Sequence, residues 1–82
     1  MITNKRGEAA TEEIERWGKV IVASLDRLAD LSVYHDADSN TYVIRLVRGS
    51  RVLLFRLSEA QALTASREKE CEKVLKQKLR DL

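Results

Sequence analysis

The stretch TYVIRLVRGSRVLLFRL, residues 41–57, decides how this chain folds. Its two halves are rich in β-branched and aromatic residues, and a Gly-Ser pair at 49–50 separates them. A two-residue connection that starts with glycine favours a type II′ turn, in which the glycine takes a positive φ. The stretch therefore predicts a β-hairpin, and the turn fixes its register with Val47 opposite Val52.

A third strand precedes this hairpin. The segment LSVYHD at residues 31–36 has the alternating pattern of a strand, and the polar segment ADSN at 37–40 follows it. A four-residue loop there places His35 opposite Tyr42 and produces an antiparallel meander with two distinct faces. The predicted core face contains Leu31, Val33, His35, Tyr42, Ile44, Leu46, Leu53, Phe55 and Leu57. The second face contains Ser32, Tyr34, Val43, Arg45, Val47, Val52, Leu54 and Arg56.

Helical patterns flank the strands on both sides. Apolar residues recur every three or four positions between Ile14 and Leu28, which predicts an amphipathic helix over residues 11–30. Ser58 and Gln61 form a capping-box pattern, so a second helix is predicted to begin there and continue to the end of the chain. That helix would be longer than the strands, so its last turns would overhang the sheet, pack on the first helix or meet another molecule.

The predicted fold class is therefore α+β. It is a two-layer αβββα domain in which a three-stranded antiparallel meander packs against N- and C-terminal helices. The single domain spans residues 11–82, and residues 1–10 are expected to be a flexible N-terminal tail. The helices either cover the same sheet face or sandwich the sheet between them.

If both helices cover the core face, the second face remains exposed and becomes the candidate protein interface. Its apolar residues are Tyr34, Val43, Val47, Val52 and Leu54, and Arg45 and Arg56 are expected at its edge. Monomers seldom expose a contiguous apolar patch, so the favoured partners are a second copy, giving a homodimer, or another protein. The projecting end of the last helix, with Val74, Leu75, Leu79 and Leu82, is a second candidate surface.

The composition limits the class of protein. The chain has 82 residues, of which 44% are hydrophobic and 34% charged, which is typical of one small soluble domain. It has no apolar run of about 20 residues, so no membrane span is predicted. The single cysteine, Cys71, cannot form an internal disulfide, and the N-terminus lacks the apolar core of a signal peptide. A cytoplasmic location is the expectation.

No cofactor, metal or catalytic centre is predicted. The segment HDADSNTY, residues 35–42, resembles the start of a calcium loop, but Thr41 replaces the required glycine and Val47 the required glutamate. Turn chemistry explains its Asp, Ser and Asn residues. His35 and Cys71 do not complete a zinc site, and no nucleotide-binding or hydrolase motif is present. The chain is therefore not expected to be an enzyme.

Nucleic-acid binding is the alternative function. Arg48 and Arg51 flank the hairpin turn and are candidate contacts for an anion or a nucleic acid, together with basic residues of the last helix. Charged hairpin tips also serve solubility. The helix–three strands–helix order is shared with double-stranded-RNA-binding domains, which carry a lysine cluster where the second helix begins. Here that stretch is SEAQALTASR, residues 58–67, so only the topology is shared.

Overall fold

The chain forms an N-terminal helix, a three-stranded antiparallel sheet and two C-terminal helices, which confirms the predicted α+β class. The computed structural model describes all 82 residues. The elements are α1 (Thr11–Leu25), β1 (Ala29–Asp36), β2 (Thr41–Arg48), β3 (Arg51–Ser58), α2 (Glu59–Leu63) and α3 (Glu68–Asp81). Short 3₁₀ turns at Gly7–Ala10 and Ala65–Arg67 precede α1 and α3.

The sheet has the predicted order and register. Its strands lie in the order β1-β2-β3, with Val47 opposite Val52 and His35 opposite Tyr42. Gly49 has a φ of 61°, as the predicted hairpin turn requires.

Turn chemistry closes the β1–β2 loop, as the sequence indicated. The carboxylate of Asp36 accepts a hydrogen bond from the backbone N–H of Asp38 at 3.1 Å. Asn40, the last loop residue, has a φ of 53°, a left-handed conformation that asparagine tolerates better than most residues. The loop therefore sets the register of β1 on β2.

The helices α1 and α3 cover the same face of the sheet. α1 packs mainly on β1, while α3 packs beside α1 and against β3. One buried cluster joins the predicted core face to the helices, and its largest fully buried side chains are those of Tyr42, Ile14, Leu31, Ile44, Leu46, Leu57, Leu75, Val22 and Cys71. Of the two arrangements that the sequence allowed, the chain adopts the one that leaves the second face uncovered.

The first helix ends earlier than predicted. It stops at Leu25, and not at residue 30, because Asp26 takes an extended backbone conformation. The side chain of Asp26 accepts a hydrogen bond from the N–H of Leu28 at 2.9 Å, which stabilises the turn into β1. Leu28, which the periodicity placed on the apolar stripe, is instead 80% exposed.

The predicted long C-terminal helix is wrong, because the chain breaks at Thr64. This residue is extended, with φ −94° and ψ 117°, and its hydroxyl donates to the carbonyl oxygen of Ala60 at 2.7 Å. The break lets α3 turn back onto the core. Leu75, Leu79 and Leu82 are buried there, so the projecting apolar end proposed as a second contact surface does not exist.

Residues 1–10, expected to be a flexible tail, are docked on the domain. The N–H groups of Ile2 and Thr3 both donate to the carbonyl oxygen of Ala62, at 3.1 and 3.3 Å. Gly7 donates its N–H to Glu59 at 3.1 Å and accepts the hydroxyl hydrogen of Tyr42 at 3.1 Å. These partners are remote in sequence, and for that reason local composition did not indicate them.

Gly18 allows α1 to lie close to the sheet. A Cβ at this position would lie 2.7 and 3.0 Å from the two δ-carbons of Leu31, closer than carbon atoms pack. Leu31 is itself 2% exposed, so its side chain has little room to move. The glycine therefore serves a helix–strand contact.

We expect Gly18→Ala to destabilise the protein although alanine is the better helix former. Overpacking a core costs about 1–3 kcal/mol, against about 1 kcal/mol gained in helix propensity. The net loss, about 1 kcal/mol, is measured by urea unfolding. Ala23→Gly at an exposed position of α1 is the control, because it reports propensity alone. A Gly18→Ala protein that is more stable than the original would contradict this packing.

Candidate protein interface on the open sheet face

The uncovered face of the sheet brings together all seven residues predicted for the interface. The register arranges this open face in three rows across β1, β2 and β3. The rows are Asp30–Val47–Val52, Ser32–Arg45–Leu54 and Tyr34–Val43–Arg56.

The open face is apolar and accessible. Tyr34 and Val52 are each 51% exposed and Leu54 is 55% exposed, and these are large fractions for strand residues. Val43 is only 2% exposed. It lies between Tyr34 and Arg56 in its row, and these three residues line one hollow together with Lys78 of α3. The open face therefore combines one buried apolar residue, Val43, with three accessible apolar side chains, those of Tyr34, Val52 and Leu54. An accessible apolar surface of this kind suits contact with another macromolecule.

Arg45 was expected at the edge of the open face. In the structure it lies at the centre of that face. It is exposed on the middle strand, with Ser32 and Leu54 beside it in its row. Arg45 and Asp30 line one shallow hollow of about 190 Å³ without forming an ion pair. A partner that covers this face must therefore offer Arg45 an acceptor, because an unpaired buried charge is strongly unfavourable.

Asp30 is a residue of the open face that sequence reasoning missed. The helix predicted over residues 11–30 included it, whereas in the structure β1 already begins at Ala29. Asp30 is exposed, and its only ionic contact is a long one of 3.9 Å to Lys19. Extending the predicted strand back by one residue, from Leu31, would have placed Asp30 opposite Val47.

Arg56 does lie at the edge, where a network holds it in place. Its guanidinium donates to the carboxylate of Asp36 at 2.9 Å and to the hydroxyl of Thr41 at 2.8 Å. The hydrogen bond from Arg56 holds the pKa of Asp36 below its ordinary value. The charge of Arg56 is thus largely satisfied within the chain.

The two arginines of the hairpin tip have different environments. Arg48 donates to the carboxylate of Asp26 at 2.7 Å and to the main-chain oxygen of Leu82 at 2.9 Å, so it joins the end of α1 to the end of α3. Arg51 is exposed and forms no ion pair at 4 Å or less. The structure therefore does not bring the two predicted anion contacts together as a pair of free guanidinium groups.

The residues considered for metal binding or catalysis are engaged in packing. The ring of His35 lies 5.3 Å from that of Tyr42, centroid to centroid, and its Nε2 is 3.1 Å from the side-chain oxygen of Asn40. Cys71 is buried, and desolvation raises the pKa of its thiol. No three His, Cys, Asp or Glu side chains converge as a metal site would require.

Comparisons with known proteins identify no relative whose function could guide the interpretation of the open face. The chain matches no protein-family model, and no curated protein or solved structure is significantly similar to it. None of its helices combines the length and apolar composition needed to cross a membrane.

We predict that the ion pair between Asp26 and Arg48 makes stability depend on pH at the acidic end. The hydrogen bond from Arg48, followed by that from Leu28, lowers the pKa of Asp26 from its ordinary 3.8. A lowered pKa in the folded state contributes stability above the unfolded-state pKa, and this contribution is lost as pH falls through the folded-state value. Asp26→Asn should therefore unfold at lower urea concentration than the original protein at neutral pH.

The stability difference should shrink as pH falls below 3.8, where Asp26 is first protonated in the unfolded state, and it should disappear below the lowered folded-state pKa, where Asp26 is protonated in both states. Asp38→Asn is the matched control, because the Asp38 side chain is exposed and makes no ion pair. A constant Asp26→Asn effect at all pH values would show that the ion pair does not contribute.

Proposed function

We propose that this protein is a small non-catalytic interaction domain that self-associates, two copies meeting through their open sheet faces. The contact residues are Tyr34, Val43, Arg45, Val47, Val52, Leu54 and Arg56, together with Asp30. The observation that carries the proposal is the accessible apolar surface of Tyr34, Val52 and Leu54 on one flat face. The single buried cysteine supports a reducing compartment, and the cytoplasm is the proposed location.

The charges on the open face favour a second copy as the partner. In a two-fold dimer, residue i of one copy contacts residue j of the other, and the reverse contact also forms. The face carries one exposed base at its centre, Arg45, and one exposed acid in the next row, Asp30. Two copies can therefore satisfy both Arg45 side chains by pairing each with Asp30 of the other.

The size of the face sets the expected strength of the dimer. Its eight-residue strands span about 27 Å, and three strands occupy about 14 Å. The flat area is then roughly 400 Å², below the roughly 800 Å² per partner of a standard interface. We therefore expect a dimer that forms as concentration rises and dissociates on dilution.

The mass in solution tests the proposal. Light scattering after size exclusion should give a mass that approaches twice 9.4 kDa at high protein concentration. Leu54→Glu should give a folded monomer at the same concentration, because it places a charge in the contact and can pair with Arg45 across the strands. Val20→Glu is the matched control, since Val20 is 68% exposed on α1 in the layer that covers the opposite face.

Two results would overturn the proposal. One is an original protein that stays monomeric at every concentration reached. The other is a dimer that Val20→Glu disrupts and Leu54→Glu leaves intact.

A charge exchange tests the pairing between copies. Arg45→Glu and Asp30→Lys should each weaken the dimer, because each places like charges opposite each other across the contact. The double variant should recover most of the original association, as measured by sedimentation at several concentrations. Additive losses in the double variant would contradict the Arg45–Asp30 pairing.

The alternative function is nucleic-acid binding through the hairpin tip. Arg48 is engaged by Asp26 and by the main-chain oxygen of Leu82, which leaves Arg51 as the exposed base of the pair. The large apolar area of the open face would also have no role in an electrostatic contact with phosphates.

A further inference from the structure

A second recess lies away from the open face, where the ends of α1, β2 and α3 meet. It has a volume of about 380 Å³ and is lined by Leu25, Asp26, Arg48, Lys76, Leu79 and Arg80. Its walls join three segments that are remote in sequence, and we call it the basic recess. Its volume falls in the range of about 300–1,000 Å³ typical of small-molecule sites.

The lining of the basic recess has more bases than acids. Arg48, Lys76 and Arg80 are its bases and Asp26 is its acid. Arg48 is held by Asp26 and by the main-chain oxygen of Leu82, so Lys76 and Arg80 are the bases that no group of the recess pairs with. Asp26 is already bound to Arg48 at 2.7 Å, so its carboxylate is occupied within the chain. Asp26 is therefore not available to neutralise the two remaining bases of the recess, Lys76 and Arg80.

These two bases are available for a ligand. Arg80 is exposed and makes no ion pair at 4 Å or less. Lys76 contacts Glu72 at 3.0 Å, but this is an exposed pair one helical turn apart, and such pairs contribute little. A ligand of higher charge can displace Glu72.

Arg48 gives the recess a fixed donor. Hydrogen bonds to Asp26 and to the main-chain oxygen of Leu82 hold its guanidinium in place. A guanidinium has five N–H donors, so these two bonds leave three for another acceptor. A donor held in place before binding loses less conformational entropy when a ligand arrives.

We propose that the basic recess binds a phosphate monoester. A monoester carries a charge of about −1.5 to −2 at neutral pH and can therefore pair with both Lys76 and Arg80, whereas a carboxylate or a phosphodiester carries one negative charge. Arginine forks bind phosphate oxygens in pairs. The exposed side chain of Leu25, beside the buried Leu79, provides an apolar contact for the organic group of the ester. The proposal does not depend on the open face or on self-association.

Titration with three probes tests the proposal. Backbone amide NMR spectra would be followed as inorganic phosphate, adenosine 5′-monophosphate or an oligonucleotide without terminal phosphate is added. The two monophosphates should shift the signals of Leu25, Lys76 and Arg80. Lys76→Gln/Arg80→Gln should weaken binding of the nucleotide about tenfold or more, as expected for the loss of two charge-assisted contacts.

The control is Lys69→Gln/Lys73→Gln, which removes the same charge from exposed positions of the same helix outside the recess. It should leave the affinity for the monophosphate nearly unchanged. Equal weakening by both double variants would overturn the proposal, because it would reflect overall charge alone. So would an absence of shifts with both monophosphates. Tighter binding of the oligonucleotide through Lys76 and Arg80 would also overturn the proposal, because it would show that the recess prefers a phosphodiester backbone to a phosphate monoester.

Discussion

The break in the chain at Thr64 determines which surfaces this protein exposes. An unbroken helix starting at Ser58 would extend past the sheet, because a helix of more than 20 residues is longer than an eight-residue strand. The hydroxyl of Thr64 instead caps α2, and α3 returns over the core beside α1. α1 and α3 then lie on one face of the sheet, and Tyr34, Val52 and Leu54 of the opposite face remain exposed.

Local chemistry made the sheet predictable from the sequence. The Gly-Ser turn and the polar loop at residues 37–40 fix the register of all three strands, and once the register is known the alternation assigns each side chain to a face. The capping box at Ser58 was predictable for the same reason, since its donor and acceptor are three residues apart.

The features that the sequence did not indicate depend on remote partners. No glycine or proline marks the break at Thr64, and the early end of α1 depends on the side chain of Asp26. The docking of the first residues depends on Ala62 and Glu59, more than 50 residues away in the chain. The candidate interface was predicted in composition, and the predicted register already implied a central Arg45 between Ser32 and Leu54. The sequence did not indicate that Asp30 belongs to β1 and lies in the neighbouring row.

The arginines of the sheet show how remote partners separate residues that look equivalent in the sequence. Arg48 is bound by an aspartate at the end of α1, and Arg56 by the aspartate before the first loop. Arg45 and Arg51 form no ion pair at 4 Å or less. Arg45 therefore combines an uncompensated charge with apolar neighbours, and under the proposed self-association the partner has to present an acid at a matching position.

Intermolecular contacts in a mixed sample test the central claim most directly. In an equimolar mixture of isotope-labelled and unlabelled protein, filtered NMR spectra detect only contacts between copies. The account predicts such contacts from the methyl groups of Leu54 and Val52 to the ring of Tyr34 or to other residues of the open face. Intermolecular contacts confined to α1 or α3 would contradict it, as would none at concentrations where the mass exceeds that of a monomer.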